Sequence, residues 1–291
     1  MANLKEIRTR ISSVQKTKQV TAAMKMVSAA KLKKAQDAIV QIRPYADKLH
    51  EILSNLTGSL GDQDENLYGV QRKPEKVLLV AITSNKGLCG AFNSNVIKQV
   101  TVLANGIYRE QNQMGALDIL CIGKQGYEIL RKQLNVIGQH NNVYDNLCFD
   151  NVSEIAISIM EEFVAGKYDK VELVYNQFKN AGVQILTTEQ FLPVEEQEEN
   201  NNHVQTEYIF EPNQAEIVEE LIPKSLKTQF FKAMLDSFAS EHGARMTAMH
   251  KATDNATELL QELNLNYNKA RQAAITNEIL EIVSGANALA Q

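Results

Sequence analysis

The last stretch of the chain, Lys224–Gln291, reads KSLKTQFFKAMLDSFASEHGARMTAMHKATDNATELLQELNLNYNKARQAAITNEILEIVSGANALAQ. It contains no proline, and its only glycines are Gly243 and Gly285. A continuous helix of this length would be roughly 100 Å long, because each residue adds about 1.5 Å. A single globular domain of this size cannot bury such a rod. We therefore expect the rod to lie along another helix or inside a partner.

The other end of the chain predicts a second long helix. Between residues 3 and 57, apolar residues recur at steps of three and four, which is the spacing of a coiled-coil seam. The seam runs through Leu4, Ile7, Ile11 and Val14, and it resumes at Val20, Met24 and Val27. Pro44 predicts a kink or small break near Ile42, and Gly58 and Gly61 predict the end of the helix.

Residues 74–193 have the pattern of a small α/β domain. The predicted elements are strands at 77–83, 117–122 and 136–139, helices at 92–111, 125–133 and 152–165, and a hairpin of strands at 171–178 and 183–188. Strands that alternate with helices are typical of a Rossmann-like sheet. After Pro193 come a polar linker and a helix at 213–221, which we expect Pro223 to separate from the rod.

The fold class predicted is a mixed α+β and α/β chain, in which a long antiparallel coiled coil of N- and C-terminal helices flanks an inserted Rossmann-like α/β domain. The predicted domains are a helix over residues 1–60, the α/β domain over 74–193 and a helix over 212–291.

Charge is distributed unevenly along the 291 residues. Residues 1–60 contain eleven Lys and Arg against four Asp and Glu, whereas residues 190–220 contain nine Glu and no Lys or Arg. Such asymmetry points to partners. A basic first helix suits nucleic acid or an acidic protein collar, and composition leaves both open. Nucleic acid is the weaker choice, because aromatic residues are nearly absent before Tyr45.

Few residues suggest chemistry. The loop SNKGLCGAF at 84–92 carries glycines between a strand and a helix, yet it lacks the spacing of a P-loop or of a dinucleotide motif. We interpret it as a tight turn, with phosphate binding as the alternative. Cys89 begins a helix near Lys86, which predicts a lowered thiol pKa. His242 and His250 lie two turns apart, and we interpret them as solvated helix positions, since two ligands make a poor metal site. We expect no catalytic residue, metal or cofactor.

Several motifs carry a family resemblance. They are IRTRISSVQ at 7–15, TAAMKMV at 21–27, NKGLCGAFN at 85–93, SEHGARMTAM at 240–249, ATDNA at 252–256 and YNKARQAAITNEILEIVSGA at 267–286. Collinear over the chain, they resemble the gamma subunit family of F-type ATP synthases. The chain lacks the cysteine-bearing insertion of the chloroplast type, so the bacterial type is expected. The polar segment at 195–202 departs from the family pattern.

The resemblance implies a non-catalytic rotor. Its coiled coil would turn inside a ring of alpha and beta subunits, and its lower end would rest on the membrane c-ring and contact the epsilon subunit. It would couple ion flow to ATP synthesis or hydrolysis from the cytoplasmic side of a bacterial inner membrane, without binding nucleic acid. The alternatives are a static coiled-coil scaffold and a nucleotide-binding protein that uses the loop at 84–92.

The resemblance also assigns contacts residue by residue. Contacts with the alpha–beta ring are implied at Met24, Arg245, Arg271, Gln272, Thr276, Glu278 and Glu281. Foot contacts with the c-ring or epsilon are implied at Tyr208 and Glu211.

Overall fold

The computed structural model describes residues 4–57, 67–194 and 214–289 of the chain. Its elements in order are α1 (Leu4–Thr57), β1 (Val77–Ile82), α2 (Phe92–Asn105), α3 (Arg109–Gln113), β2 (Leu117–Ile122), α4 (Lys124–Leu130), β3 (Val136–His140), a 3-10 turn (Asn142–Tyr144), α5 (Phe149–Val164), β4 (Lys170–Asn180), β5 (Val183–Leu192) and α6 (Gln214–Leu289). Of the described helices, none combines the length and apolar character needed to cross a bilayer.

The chain forms two compact units, whose boundaries fall within the long helices. The helix-pair unit consists of residues 1–28 and 246–291, and the sheet unit consists of residues 29–245.

The sheet unit is built on five strands in the order β3-β2-β1-β4-β5. Strands β1 to β4 pair in parallel, and β5 pairs antiparallel with β4. This arrangement agrees with the predicted Rossmann-like order, in which the chain leaves β1 in one direction and later returns to its other side. The carboxyl end of β1 therefore lies at the point where the winding of the sheet reverses.

Apolar residues cover both faces of the sheet. Leu78, Val80 and Ile82 of β1 pack into one core with buried residues of α5 and α6. Val77, Leu79 and Ala81 point to the opposite face and pack with residues of α2. A strand buried on both faces needs a continuous apolar run, which is why β1 could be predicted from sequence.

Gly123 brings the ends of β1 and β2 close together. It follows β2 with φ +100, and a Cβ there would lie 2.2 Å from the Thr83 carbonyl oxygen. Only glycine fits both the backbone angle and this approach. The Thr83 hydroxyl completes the junction by donating to the Ile122 carbonyl at 3.1 Å and accepting from the Gly126 N–H at 3.0 Å.

Several predicted boundaries were wrong. The helix α1 continues through Pro44 without a break, and α6 continues through Pro223 from Gln214. Pro44 and Val40 are both exposed, so the carbonyl that loses its N–H partner meets water. The helix predicted over 92–111 instead ends at Asn105, because Gly106 closes it with an N–H bond to the Val102 carbonyl. The linker at 195–202 lies outside the described residues.

Candidate functional site

The β1–α2 loop, residues 84–91, has a shape fixed by its own polar side chains. Asn93 accepts from the Ser84 N–H at 2.9 Å and donates to the Ser84 hydroxyl at 2.8 Å. The same hydroxyl lies 2.7 Å from the Lys86 carbonyl, to which it can donate. Leu88 and Gly90 adopt φ +61 and +60. The resulting tight loop presents Lys86, Gly87 and Leu88 at the surface, as the sequence predicted for a turn.

Arg245 of α6 clamps this loop from inside the sheet unit. Its Nη2 donates to the Lys86 carbonyl at 2.8 Å and to the Gly87 carbonyl at 3.2 Å, and its Nη1 donates to Glu241 Oε1 at 2.6 Å. The side chain is only about a tenth exposed. A buried arginine is tolerated where its fork of donors is matched by acceptors, and here a carboxylate and two backbone carbonyls supply them.

The clamp argues against phosphate binding by the loop. Phosphate sites present backbone N–H groups or the start of a helix to the anion. In this loop the carbonyls of Lys86 and Gly87 converge on a guanidinium that Glu241 already neutralises. Doubly wound sheets bind nucleotides beyond the carboxyl ends of their strands. At the end of β1 in this protein, that position is occupied by the guanidinium of Arg245.

An aromatic column continues from the clamp. Tyr144 stacks on Phe238 with ring centroids 6.2 Å apart, and Phe238 meets His242 edge-on at 4.4 Å. His242 is 5% exposed, so the interpretation of this residue as solvated was wrong. Burial, with Arg245 and Lys31, lowers the pKa of His242 to about 3. Its neutral ring can accept from Arg245 Nη1 at 3.3 Å.

Cys89 also differs from its prediction. The side chain is buried in the loop. Burial raises the pKa of the Cys89 thiol, although the nearby Ser84 hydroxyl and Arg245 oppose the rise. A raised pKa leaves the thiol protonated and weakly reactive. His250 agrees with its prediction, since it is exposed and lies 3.3 Å from Asp254.

In the helix-pair unit, α1 and α6 run antiparallel. Arg8 Nη2 donates to the Tyr267 hydroxyl at 2.7 Å, and the hydroxyls of Thr21 and Thr253 lie 2.9 Å apart. Moving forward from Arg8 to Thr21 thus corresponds to moving backward from Tyr267 to Thr253. The buried seam residues of this unit are Ile7, Thr21, Ser28, Met249, Ala256 and Leu263. The predicted antiparallel pairing is present here, with a seam that mixes small, polar and apolar side chains.

Beyond this pairing, α6 forms a tip. Since Arg8 lies opposite Tyr267, residues 272–289 extend past the described start of α1 by roughly 27 Å. Between residues 272 and 286, the large apolar side chains of the tip are 47–71% exposed. They are Ile275, Ile279, Leu280, Ile282 and Val283. Contiguous exposed apolar side chains mark an interaction surface.

A sequence model of a protein family described as ATP synthase matches residues 3–289. The ATP synthase gamma chain of Flavobacterium johnsoniae is 61% identical over 289 residues, which is 99% of both chains. The gamma chain of a Geobacter species is 45% identical with the same coverage. The chain belongs to the ATP synthase gamma chain family. The resemblance drawn from the motifs is thereby confirmed.

Solved structures agree with the fold of this gamma chain family member. It resembles a chain from the central stalk and c-ring structure of the Tetrahymena thermophila mitochondrial ATP synthase, with a TM-score of 0.58 and 28% identity over 80% of this chain and 99% of that chain. It also resembles a chain of the Euglena gracilis mitochondrial ATP synthase, with a TM-score of 0.69 and 21% identity over 98% of this chain and 94% of that chain. The second likeness concerns the fold alone. The predicted fold class is confirmed.

The structure places the predicted site residues of this gamma chain family member in different settings. Five lie exposed on the tip or just before it: Arg271, Gln272, Thr276, Glu278 and Glu281. Met24 lies on α1 in the helix-pair unit and is 38% exposed. Arg245 is buried against the β1–α2 loop. Tyr208 and Glu211 lie outside the described residues. The ring and foot contacts themselves stay predictions.

Sequence reasoning missed the clamp partners. Glu241, His242 and the carbonyls of the loop surround Arg245, yet Lys86 is separated from Arg245 by 159 positions along the chain. A faint signal was present, because Glu241 and Arg245 are spaced four apart and could pair on one helix face.

Proposed function

We propose that this gamma chain is the rotor in the central stalk of an F-type ATP synthase. It transmits torque from the ion-driven c-ring to the catalytic alpha–beta hexamer, and so couples ion translocation to ATP synthesis or hydrolysis. The observation that carries this proposal is the tip of α6, whose large apolar side chains from Ile275 to Val283 are about half exposed or more over roughly 12 Å. Exposed apolar side chains that are contiguous in this way mark a surface that a partner covers.

The side chains of the tip suit a helix that rotates inside a ring of partner subunits. Between its apolar residues stand small and polar ones, among them Ala273, Thr276 and Ser284. A surface of this kind gives contact without the deep interlocking of large side chains that would hold it in one orientation. The polar residues Arg271, Gln272, Thr276, Glu278 and Glu281 are the proposed contacts with the beta subunits, which would bias the states of the ring as the tip turns.

The basic face of α1 supports the same partners. On the helix-pair unit Lys16 is exposed, and Lys18 and Lys25 are half-buried. An acidic collar on the alpha–beta ring would attract this face. We propose that Tyr208 and Glu211 form the foot toward the c-ring and epsilon subunit. The chain would be a non-catalytic, peripheral subunit on the cytoplasmic side of a bacterial inner membrane, with residues 1–60 and 212–291 as the shaft and 74–193 as its α/β domain.

Assembly through the tip is the direct test. A tagged full-length chain, co-expressed with its alpha and beta subunits, is expected to purify with both and to give ATPase activity. A variant ending at Ala274 removes the exposed apolar residues and should lower ring retention or ATPase activity by at least tenfold, while the remaining chain folds. A static scaffold would not be retained with alpha and beta subunits, and a nucleotide-binding protein would bind ATP as an isolated chain in calorimetry.

Coupling gives a second test. Met24→Lys places a charge on the surface proposed to face the beta subunits, so we expect fewer protons pumped per ATP hydrolysed, with assembly intact. Met26→Lys is the matched control, because Met26 is 68% exposed on the same helix and carries no predicted contact. Proton pumping and ATP hydrolysis are measured together in membrane vesicles. Full coupling in the Met24 variant would contradict the assigned contact.

A further inference from the structure

A polar cavity of about 440 Å³ lies between the carboxyl end of β3 and α5 in the sheet unit. Residues 139–143 line one wall, and Asn151, Glu154, Ile155 and Ser158 of α5 line the other. Doubly wound sheets bind ligands beyond the carboxyl ends of their strands. The cavity is open to solvent, because Gln139, His140, Asn142, Glu154 and Ser158 of its lining are exposed. None of its lining residues belongs to the clamped loop or to the tip.

The lining of this cavity is rich in acceptors. Its carboxylate is that of Glu154, and none of its lining residues is Lys or Arg. Partial burial lowers the pKa of His140, so its ring is neutral at physiological pH and offers a nitrogen lone pair. The Asn151 amide nitrogen already donates to the Asn146 carbonyl at 2.9 Å, which leaves the Asn151 amide oxygen as an acceptor.

Asn141 adds an acceptor that has no donor. Its Oδ1 is buried and makes no hydrogen bond, while its backbone carbonyl accepts from Asn85 Nδ2 at 2.9 Å. Leaving a buried amide oxygen without a donor is unfavourable. Turning this amide toward the cavity would break no hydrogen bond made by Oδ1. A ligand that supplies an N–H there would therefore give this oxygen a donor.

We propose that this cavity binds a small organic cation that carries an ammonium or guanidinium group. The Glu154 carboxylate balances its charge, and the amide oxygens of Asn141 and Asn151 accept its N–H groups. Phosphates and carboxylates are disfavoured, because the lining offers no cationic side chain to pair with them.

The wall that would hold the cation is fixed to the end of β1. Asn85 bridges the Asn141 carbonyl and the Lys124 N–H, at 2.9 and 3.1 Å. The Tyr144 hydroxyl donates to the Thr83 carbonyl at 2.7 Å. Because these bonds hold the wall in place, little reordering should accompany binding, and the affinity should depend mainly on the charge at Glu154.

The test uses the full-length chain and agmatine, which carries one guanidinium and one ammonium group, in isothermal titration calorimetry. We expect one agmatine bound per chain, with affinity weakened about tenfold or more in Glu154→Gln. Glu161→Gln is the matched control, because Glu161 is exposed on the same helix and does not line the cavity. Ser158→Phe, which fills the cavity, should also abolish binding.

Three results would overturn the proposal. They are an absence of agmatine binding to the wild-type chain at millimolar concentrations, equal weakening by the two glutamine variants, and displacement of agmatine by inorganic phosphate at constant ionic strength. Circular dichroism of each variant verifies that it is folded. Since binding is measured on the chain alone, a negative result leaves the proposed role in torque transmission untouched.

Discussion

Replacing Arg245 by alanine is expected to lower the free energy of unfolding of the sheet unit by about 3–5 kcal/mol, the usual cost of removing one partner of a buried ion pair. Glu241 would remain buried without its counter-ion, and the carbonyls of Lys86 and Gly87 would lose their donors. The loop should then open, because Arg245 is what joins it to α6. Denaturant unfolding of the full-length chain measures the loss, and hydrogen exchange over residues 84–91 reports the opening.

The matched control is Arg271→Ala. Arg271 is an exposed arginine on the same helix, so its removal should change the free energy of unfolding by less than about 0.5 kcal/mol. A second variant, Glu241→Gln combined with Arg245→Ala, removes the unpaired charge and should recover part of the loss. If Arg245→Ala costs no more than its control, with exchange in the loop unchanged, the clamp does not stabilise the fold.

The loss should also depend on pH. Burial raises the pKa of Glu241 above its ordinary 4.5, while Arg245 and its hydrogen bond lower it again. Without Arg245 that pKa rises further, so the carboxyl of the variant takes up a proton as pH falls. A buried group with a raised pKa destabilises the fold only while it is ionised. The difference between variant and wild type should therefore shrink on acidification.

The clamp bears on how torque could pass through the chain. The Arg245 guanidinium joins the β1–α2 loop to α6, and β1 and α6 share one apolar core. The sheet and this part of the helix are therefore a single packed body. The apolar core resists separation without regard to direction, whereas hydrogen bonds to carbonyls fix the orientation of the helix against the loop. Such stiffness is useful in a rotor, because a flexible connection would deform under torque and would not transmit it fully.

The elements of the fold could be predicted because their signals are local. The apolar run of β1 and the three–four spacing at the start of α1 each lie within one element. Pro223 was wrongly expected to separate two helices, because the sequence shows only the local cost of a proline inside a helix, which is about 3 kcal/mol. It is offset by the burial of Ile222 and Leu226 in the core on either side of it.

The site was less accessible to sequence reasoning. The partners of Arg245 are distant in sequence, and two of them are backbone carbonyls, which no residue type reveals. His242 appeared solvated because polar residues surround it in sequence, yet α6 buries it against Phe238. The tip residues could be named only through the family resemblance, since their predicted contacts lie on other chains.

Asp236→Asn is expected to stabilise the chain above pH 6, by about 1–3 kcal/mol. Asp236 is 1% exposed, and neither of its carboxylate oxygens has a hydrogen-bond partner. Burial raises its pKa from the ordinary 3.8 to about 6, helped by Glu189 and opposed by Arg43 and Lys232. A rise of about two pKa units corresponds to about 3 kcal/mol, and the asparagine amide, which also needs partners, reduces the gain.

The sign of this effect follows from which form the fold disfavours. The ionised form of Asp236 is the costly one, so its cost is fully present above pH 6 and disappears as pH falls from about 6 toward 4, where the carboxyl is protonated in the folded chain as well. The charged or titratable groups that face it are Arg43 on α1, Lys232 on α6, Tyr175 on β4 and Glu189 on β5. Of these, Glu189 is held by Tyr175 and Gln229 at 2.7 Å each.

The measurement is the free energy of unfolding of wild type and variant between pH 5 and 8. The gain from Asp236→Asn should be largest at pH 8 and should fall steadily below pH 6. Asp254→Asn, on an exposed position of the same helix, should change stability by no more than about 0.5 kcal/mol at any pH. A variant that is less stable than wild type at pH 8 would contradict the prediction, and it would mean that the attraction of Arg43 and Lys232, with or without ordered water, outweighs the cost of burying the Asp236 carboxylate.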